Sequence, residues 1–203
     1  MTDRNFWESR YAETDFAYGV EPNRWVVACE PHFPRHARIL VPGDGEGRNG
    51  VYLARRGHCV TSLDMAASGL AKAAELAQMT GVPLVTLQAD LAEWAPEPAS
   101  YDAVVLVFLH LPPAIRARVH AALAASVRPG GCLVLEAFDR SHFGLPGGGP
   151  RDPEWLFDPD ILRADFAGLE CEKLEQADVV LDEGPFHQGA ARVVRGIWRA
   201  PDR

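Results

Sequence analysis

The sequence predicts an α/β fold: a three-layer αβα sandwich on a seven-stranded, mostly parallel sheet that ends in an antiparallel hairpin. Three observations lead there. Apolar runs alternate with helix-patterned segments along most of the 203 residues, as in parallel sheets covered by crossover helices. A glycine-rich turn, GDGEG, separates the first apolar run from a helix-like segment. The last two extended runs are joined by DEGPFHQG, too short to hold a helix, so they should be antiparallel to each other.

At 203 residues and 47% hydrophobic composition the chain fits one domain, with 1–35 as a helical N-terminal lid and 36–203 as the core. The strands are expected at Ala37–Val41, Cys59–Leu63, Leu84–Ala89, Tyr101–Val107 and Cys132–Phe138, followed by the hairpin Cys171–Leu181 and Ala190–Trp198. The first five are apolar enough to be buried on both faces. Leu70, Ala73, Ala74 and Ala77 recur at helical spacing before a stop at Gly81. Ile115, Val119, Ala122 and Leu123 do the same after Pro112 and Pro113, with Arg128-Pro129-Gly130-Gly131 ending that helix. Asp158-Pro159 reads as an N-cap and first helical residue for a helix carrying Leu162, Phe166 and Leu169. The Gly- and Pro-rich stretch Asp139–Phe157 is expected to lack a regular element and to be a functional loop.

A net charge of -8 without any basic run argues against a nucleic-acid partner and leaves a small molecule as the expected one. The opening MTDRNFWESRY has no apolar signal core, and no stretch is long and apolar enough for a membrane, so a cytoplasmic location is expected. Cys29, Cys59, Cys132 and Cys171 lie far apart with no metal-ligand spacing. They are expected to be buried small hydrophobes, with no metal bound.

A glycine turn between strand and helix lets backbone approach a ligand and offers oriented N–H groups. The literal pattern Gly45-x-Gly47-x-x-Gly50 matches a dinucleotide fingerprint, which keeps an NAD-dependent oxidoreductase as an alternative, but the residue at the strand end is Gly43. Read from Gly43, Asp64 falls about twenty residues on, at the end of the second strand, where a carboxylate can accept ribose hydroxyls. An N-cap or turn role is its alternative.

In order, GDGEGRN, GHCVTSLD, QADL, YDAVVLVFLHLPP and RPGGCLVLE resemble the successive motifs of class I S-adenosylmethionine-dependent methyltransferases, which share a Rossmann-like sheet. The opening WESRYAETDFAYGVEPNRWV and the ending EGPFHQGAARVVRGIWR resemble the small TehB-type enzymes grouped with tellurite resistance and thiopurine methylation. The resemblance implies S-adenosylmethionine as cofactor. It lays Gly43, Gly45 and Gly47 against the methionine part, with Asn49 just after the turn, and gives the ribose to Asp64. Met65 would flank the adenine, Asp90 would accept from its amino group or be a loop carboxylate, and the Leu91 backbone would meet the ring. Phe108 would complete the cofactor pocket, while Trp7, Tyr11, Tyr18 and Asn23 would form the lid over the sulfonium, whose charge suits aromatic faces. The chain departs from the family pattern at Val41, where an acidic residue is usual; Asp44 is a substitute towards the ammonium, or else an exposed turn residue.

Methyl transfer is an in-line displacement, and only an acceptor that must lose a proton needs a base. His110, just past the fourth strand, and His187, at the last hairpin, are both expected at the carboxyl edge of the sheet. Arg192 is placed to hold an anionic acceptor or to sit at the surface, nearer the pocket than Arg195, which is expected to pair with a carboxylate. Glu136 either points into the pocket or pairs with an Arg. The acceptor is expected to be a small molecule such as a thiol or a chalcogen oxyanion. An S-adenosylmethionine-binding regulator without turnover is the other alternative.

Overall fold

The computed structural model describes residues 4–202. Strands β1 (Arg38–Pro42), β2 (Cys59–Asp64), β3 (Val85–Gln88), β4 (Tyr101–Val107), β5 (Val127–Phe138), β6 (Glu170–Asp182) and β7 (Gln188–Arg199) form one sheet in the order β3-β2-β1-β4-β5-β7-β6. The first five strands are parallel, and β7 runs antiparallel to both β5 and β6. The order reverses at β1 and β4, the topological switch point where open α/β sheets bind ligands at their carboxyl edge.

Helices α1 (Arg4–Tyr11), α2 (Arg24–Cys29), α3 (Arg48–Arg55), α4 (Ala67–Thr80), α5 (Pro113–Ala125) and α6 (Pro159–Asp165) complete the fold. Alternate residues of the central strands feed two cores. Leu40, Leu106, Leu133 and Leu135 meet Leu123 of α5, Leu162 of α6 and Trp198. Ile39, Val41, Val105 and Val134 meet Trp25 and Val26 of α2 and Leu53 of α3 on the other face. That two-sided burial is why these strands read as unbroken apolar runs. Among the described residues no helix is long and apolar enough to cross a membrane.

Several elements differ from expectation. Arg128–Gly131 lies within β5, because Val127 already pairs with Tyr101 and a register shift before Ala103 absorbs the extra residues. The Gly130 N–H donates to Ala200 O and the Ala200 N–H to Gly131 O, so β7 holds the segment in the ladder. The stretch Asp139–Phe157 contains single 3-10 turns at Arg140–His142 and Pro153–Trp155, each begun by an Asp side chain accepting a backbone N–H, and its two ends are bridged. The N-terminal segment has two short helices around an irregular stretch; residues 1–3 of the expected lid lie outside the described residues. Cys29 and Cys132 are buried, which pushes their thiols up to about 12 and about 11. Cys59 and Cys171 are exposed, contrary to expectation, because one opens β2 and the other lies on the edge strand β6.

Gly47 and Gly144 have nearly the same backbone twist, φ +85 and +86, in contrasting surroundings. A methyl group at Gly47 would lie 2.5 Å from Cβ of Ala73 on α4, whereas at Gly144 it would meet nothing within 4 Å. Gly144→Ala should therefore cost only the left-handed backbone penalty of about 1–2 kcal/mol. Gly47→Ala should cost about 3 kcal/mol or more, lowering the thermal midpoint by roughly 6–12 °C. Equal midpoints for the two variants would show that close α3–α4 packing does not constrain Gly47.

Candidate active site

The site begins where β1 runs into the glycine turn. The N–H groups of Gly43 and Asp44 both donate to Leu63 O, at 2.7 and 3.1 Å, hanging the turn on the end of β2. The Asp64 carboxylate accepts from Gly45 N–H through one oxygen and Ala66 N–H through the other, each at 2.9 Å. It therefore fills a turn-forming role at the position expected to face a ribose, and burial raises its pKa.

Asp44 differs from the expectation that it meets an ammonium. Its carboxylate points inward, accepting from the Ser62 hydroxyl at 2.7 Å and from Gly50 N–H at 3.2 Å, because the first turn of α3 needs acceptors for its unpaired donors. Burial raises its pKa to about 6, against the lowering effect of those hydrogen bonds. Glu46, which sequence reasoning passed over, accepts from Ala17 N–H at 2.7 Å and from Lys72 Nζ at 2.8 Å, tying the N-terminal segment to the turn.

The three glycines face different neighbours. A methyl group at Gly43 would lie 2.8 Å from Leu109 Cδ1, and one at Gly45 2.6 Å from the Tyr11 hydroxyl. Gly47 faces α4, so its place in the turn answers to helix packing and not to the cofactor side. Tyr11 is buried over Gly45, and burial with the nearby Asp64, Glu46 and Asp44 charges holds its phenol protonated. Trp7 stacks on Tyr11 at 5.5 Å, and Tyr18 lies 6.4 Å from each of them.

At the positions expected to border the adenine, Met65 and Asp90 are half-buried and Leu91 is buried in the core. Asp90 Oδ1 accepts from Ala92 N–H at 2.8 Å, a local turn bond. Phe108 follows β4 with φ +50, a conformation rare for a non-glycine residue. Its ring lies 4.6 Å from Phe138 and, edge-on, 4.6 Å from His187.

A buried polar junction links the N-terminal segment, α3 and the hairpin. Arg48 pairs with Glu183 at 2.8 Å, and His187 Nδ1 lies 3.4 Å from the same Glu183 oxygen. Asn23 caps α2 with its side-chain oxygen, while its Nδ2 donates to Glu136 at 2.7 Å and to Glu183 at 3.0 Å; its own N–H donates to Asn49 Oδ1 at 2.9 Å. It belongs to this junction and not to the aromatic lid. Burial raises the Glu183 pKa, but His187 and Arg48 outweigh it and bring the group to about 2. Burial lowers the His187 pKa, so its imidazole is neutral at pH 7.

His110 is not free for the role expected of it, and Arg192 takes the surface alternative. His110 lies with Nδ1 2.8 Å from Trp155 O and accepts from Phe138 N–H at Nε2, at 3.3 Å, so both nitrogens serve the backbone. Burial takes its pKa down to about 4. The Arg192 side chain is 53% exposed and pairs with Asp178 at 3.0 Å across the hairpin surface. Alternation along β7 turns Arg195 to the opposite face, where it meets Glu175 at 2.8 Å, Glu136 at 3.7 Å and the Trp25 ring at 4.6 Å. Arg195 thus pairs with carboxylates as expected, and Glu136 is its partner. Among the described residues no cluster is suited to a metal ion.

Residues 39–131 match the methyltransferase domain family. Over 96% of its length the chain is 27% identical to the thiopurine S-methyltransferase of Pseudomonas fluorescens (strain Pf0-1), of which it covers 96%. The chain carries an S-adenosylmethionine-dependent methyltransferase domain. Its fold is shared with TehB from Haemophilus influenzae, at a TM-score of 0.73 and 17% identity over 97% of this chain and 66% of that one. It is shared too with 1,6-didemethyltoxoflavin-N1-methyltransferase of Burkholderia thailandensis, solved with S-adenosylhomocysteine, at a TM-score of 0.63 and 21% identity, covering 87% and 76%. At the switch point a side chain at Gly43 or Gly45 would collide with Leu109 or the Tyr11 hydroxyl, so the turn stays bare there.

Asp44 makes the methyltransferase's stability pH-dependent in a predictable direction. Its folded pKa of about 6 lies above the ordinary 3.8, so between those values the folded state keeps a proton that the unfolded state has released. Stability from this group is present below pH 4, falls as pH rises to 6 and stays lower above. Urea unfolding of wild type and Asp44→Asn at pH 4 and pH 7 should show wild type losing about 1–3 kcal/mol relative to the variant at the higher pH. A difference that does not change with pH would mean that Asp44 is ionised throughout.

Proposed function

We propose that this methyltransferase acts on a small acceptor with an acidic thiol, a chalcogen oxyanion or a hydroxyl, and that His187 is the group on the acceptor side. One observation carries the reading. His187 is buried between Tyr18 and Phe108 with Nδ1 on Glu183, and Glu183 is held by Arg48, the first residue of the helix that leaves the glycine turn. The base is thereby tied to the cofactor loop. With Nδ1–H donating to the ionised Glu183, Nε2 carries the lone pair.

S-adenosylmethionine supplies a methyl group already activated on a sulfonium. In this reading Gly43, Gly45 and Asn49 lie along its methionine side, Asp64 accepts from the ribose, and Met65, Asp90 and Leu91 border the adenine. Trp7, Tyr11, Tyr18 and Phe108 enclose the sulfonium, and the segment up to residue 35 acts as a lid on a single-domain core. A thiolate or oxyanion acceptor needs only alignment and exclusion of water. A protonated acceptor gives its proton to His187 Nε2 as it attacks. His110 supports the Phe138 backbone behind His187, and Arg192 takes no part.

Asp64→Ala should weaken S-adenosylhomocysteine binding about 10- to 150-fold by calorimetry, the loss of a charge-assisted hydrogen bond worth roughly 1.5–3 kcal/mol. The same affinity in a folded variant would remove Asp64 from the ribose.

Thiols, selenite and tellurite oxyanions, and phenols should be screened for S-adenosylhomocysteine production. With a phenol, His187→Gln should lower kcat by roughly 100-fold; with a thiolate it should chiefly raise KM. Cofactor binding without turnover of any acceptor would favour a regulator instead.

A further inference from the structure

Two edges of the His187 ring are held in different ways. At one edge Nδ1 lies 3.4 Å from Glu183, longer than an ordinary N–H···O bond, so this contact by itself constrains the ring weakly. At the other edge stands Gly148. A methyl group there would lie 3.1 Å from His187 Cδ2, the carbon bonded to Nε2, and 2.5 Å from Phe186 O. With φ +99 and no room for a side chain, Gly148 sets bare backbone against the imidazole.

Gly148 is in turn held by His142. The loop between them is not anchored by its large apolar side chains, since Phe143 and Leu145 are 53% and 40% exposed. His142 itself is buried and stacks on Phe138 at 4.4 Å with the ring planes 18° apart. Its Nδ1 accepts from the Arg192 N–H at 3.2 Å, so the proton of the neutral ring sits on Nε2, which donates to Gly148 O at 3.0 Å. Burial lowers the His142 pKa, against the raising effects of the Gly148 bond and the Asp139 charge, and the ring is neutral at pH 7. His110 makes the same kind of bridge, from the Phe138 N–H to Trp155 O. Each histidine thus ties a strand N–H to a carbonyl of the Asp139–Phe157 segment, and His142 is the one whose partner touches His187.

We infer, on the reading of His187 as the acceptor-side residue, that His142 is a positioning residue for methyl transfer: by clamping the Gly148 backbone to β7 it holds the plane of the His187 ring and the direction of the Nε2 lone pair. Glu183 fixes which nitrogen of His187 carries the proton, and the clamp fixes where the other one points.

Two replacements separate the clamp from the contact to β7. His142→Asn keeps an acceptor near the Nδ1 position for the Arg192 N–H and is too short to reach Gly148, whereas His142→Gln offers a donor towards Gly148 and gives up that acceptor. Proton–nitrogen correlation spectra of ring-labelled histidines, recorded on the S-adenosylhomocysteine complex, report both tautomers directly. Wild type should carry the proton of His142 on Nε2 and that of His187 on Nδ1. His187 should keep its single tautomer in His142→Gln and exchange between tautomers in His142→Asn. With phenol as acceptor, His142→Asn should lower kcat about tenfold or more with KM little changed, while His142→Gln stays within about threefold of wild type. A purely structural role on β7 predicts the reverse order, because the Asn variant keeps the Arg192 bond, and that order would overturn the clamp. An unperturbed His187 spectrum in His142→Asn would overturn it as well. If phenol is not methylated, or if His187→Gln leaves its methylation unchanged, the acceptor-side reading fails separately and the spectra still decide the clamp. If His142→Asn does not fold, wild type alone decides: the proton of His142 on Nδ1 excludes the bridge to Gly148, and on Nε2 supports it.

Discussion

The ion pair between Arg48 and Glu183, 2.8 Å long with side chains only 7% and 10% exposed, is the constraint on which the site's geometry depends. Burying two charges is costly, and such a pair adds little net stability compared with an apolar contact. What it fixes is position, because breaking one side leaves an uncompensated buried charge. Arg48 begins α3, Glu183 follows β6, and Asn23 spans Glu183 and Glu136. The N-terminal segment, the glycine-turn helix and the hairpin thus share one set of hydrogen bonds. Arg195 closes the far side through Glu136, so each carboxylate of the junction faces a guanidinium.

A second concentration of charge lies under the turn, where Asp44, Glu46 and Asp64 are all buried. Their mutual repulsion is offset chiefly by backbone donors, since each accepts at least one N–H. Lys72 adds a side-chain cation in direct contact with Glu46. The turn therefore keeps its shape through carboxylates that point into the protein. This arrangement bears on Val41, the position where an acid is usual in the family. The acids of this chain lie within and after the turn instead, where they hold its backbone.

The strands, four of the five expected buried runs and the hairpin were legible in the sequence because hydrophobic periodicity and turn length carry them directly, whereas β3 is an exposed edge strand. Asp64 at the end of β2 and His187 near the carboxyl edge followed from the same topology. Other assignments depended on information that one-dimensional spacing lacks. Arg192 and Arg195 lie three residues apart, an odd interval, so they point to opposite faces of β7, and only the observed register says which face is covered. His110 stands at the expected edge, yet both its nitrogens are consumed by Trp155 and Phe138, contacts across long sequence separations. Gly47 looked like its neighbours in the turn, but the packing of α4 assigns it to a helix contact. Glu46 and Glu183 gave no motif signal, since a lone Glu near a turn is ordinary until its partners are placed.

The hairpin's direction explains why the proposed acceptor-side group, His187, can be a neutral base. Because β7 starts at the carboxyl edge, the turn before it delivers His187 beside Phe108, whose positive φ sets its ring edge-on to the imidazole. Strained backbone of this kind persists only where packing holds it, and here Phe138 and the Glu136 carbonyl do so. In that aromatic enclosure a free imidazole would lose its proton but also its orientation. Glu183 restores the orientation, and its negative charge by itself would raise the His187 pKa. Burial outweighs this and, with a smaller contribution from Arg48, holds the His187 pKa below its ordinary value. The carboxylate can therefore orient the ring without protonating it, and Arg48, at the start of α3, holds that carboxylate ionised.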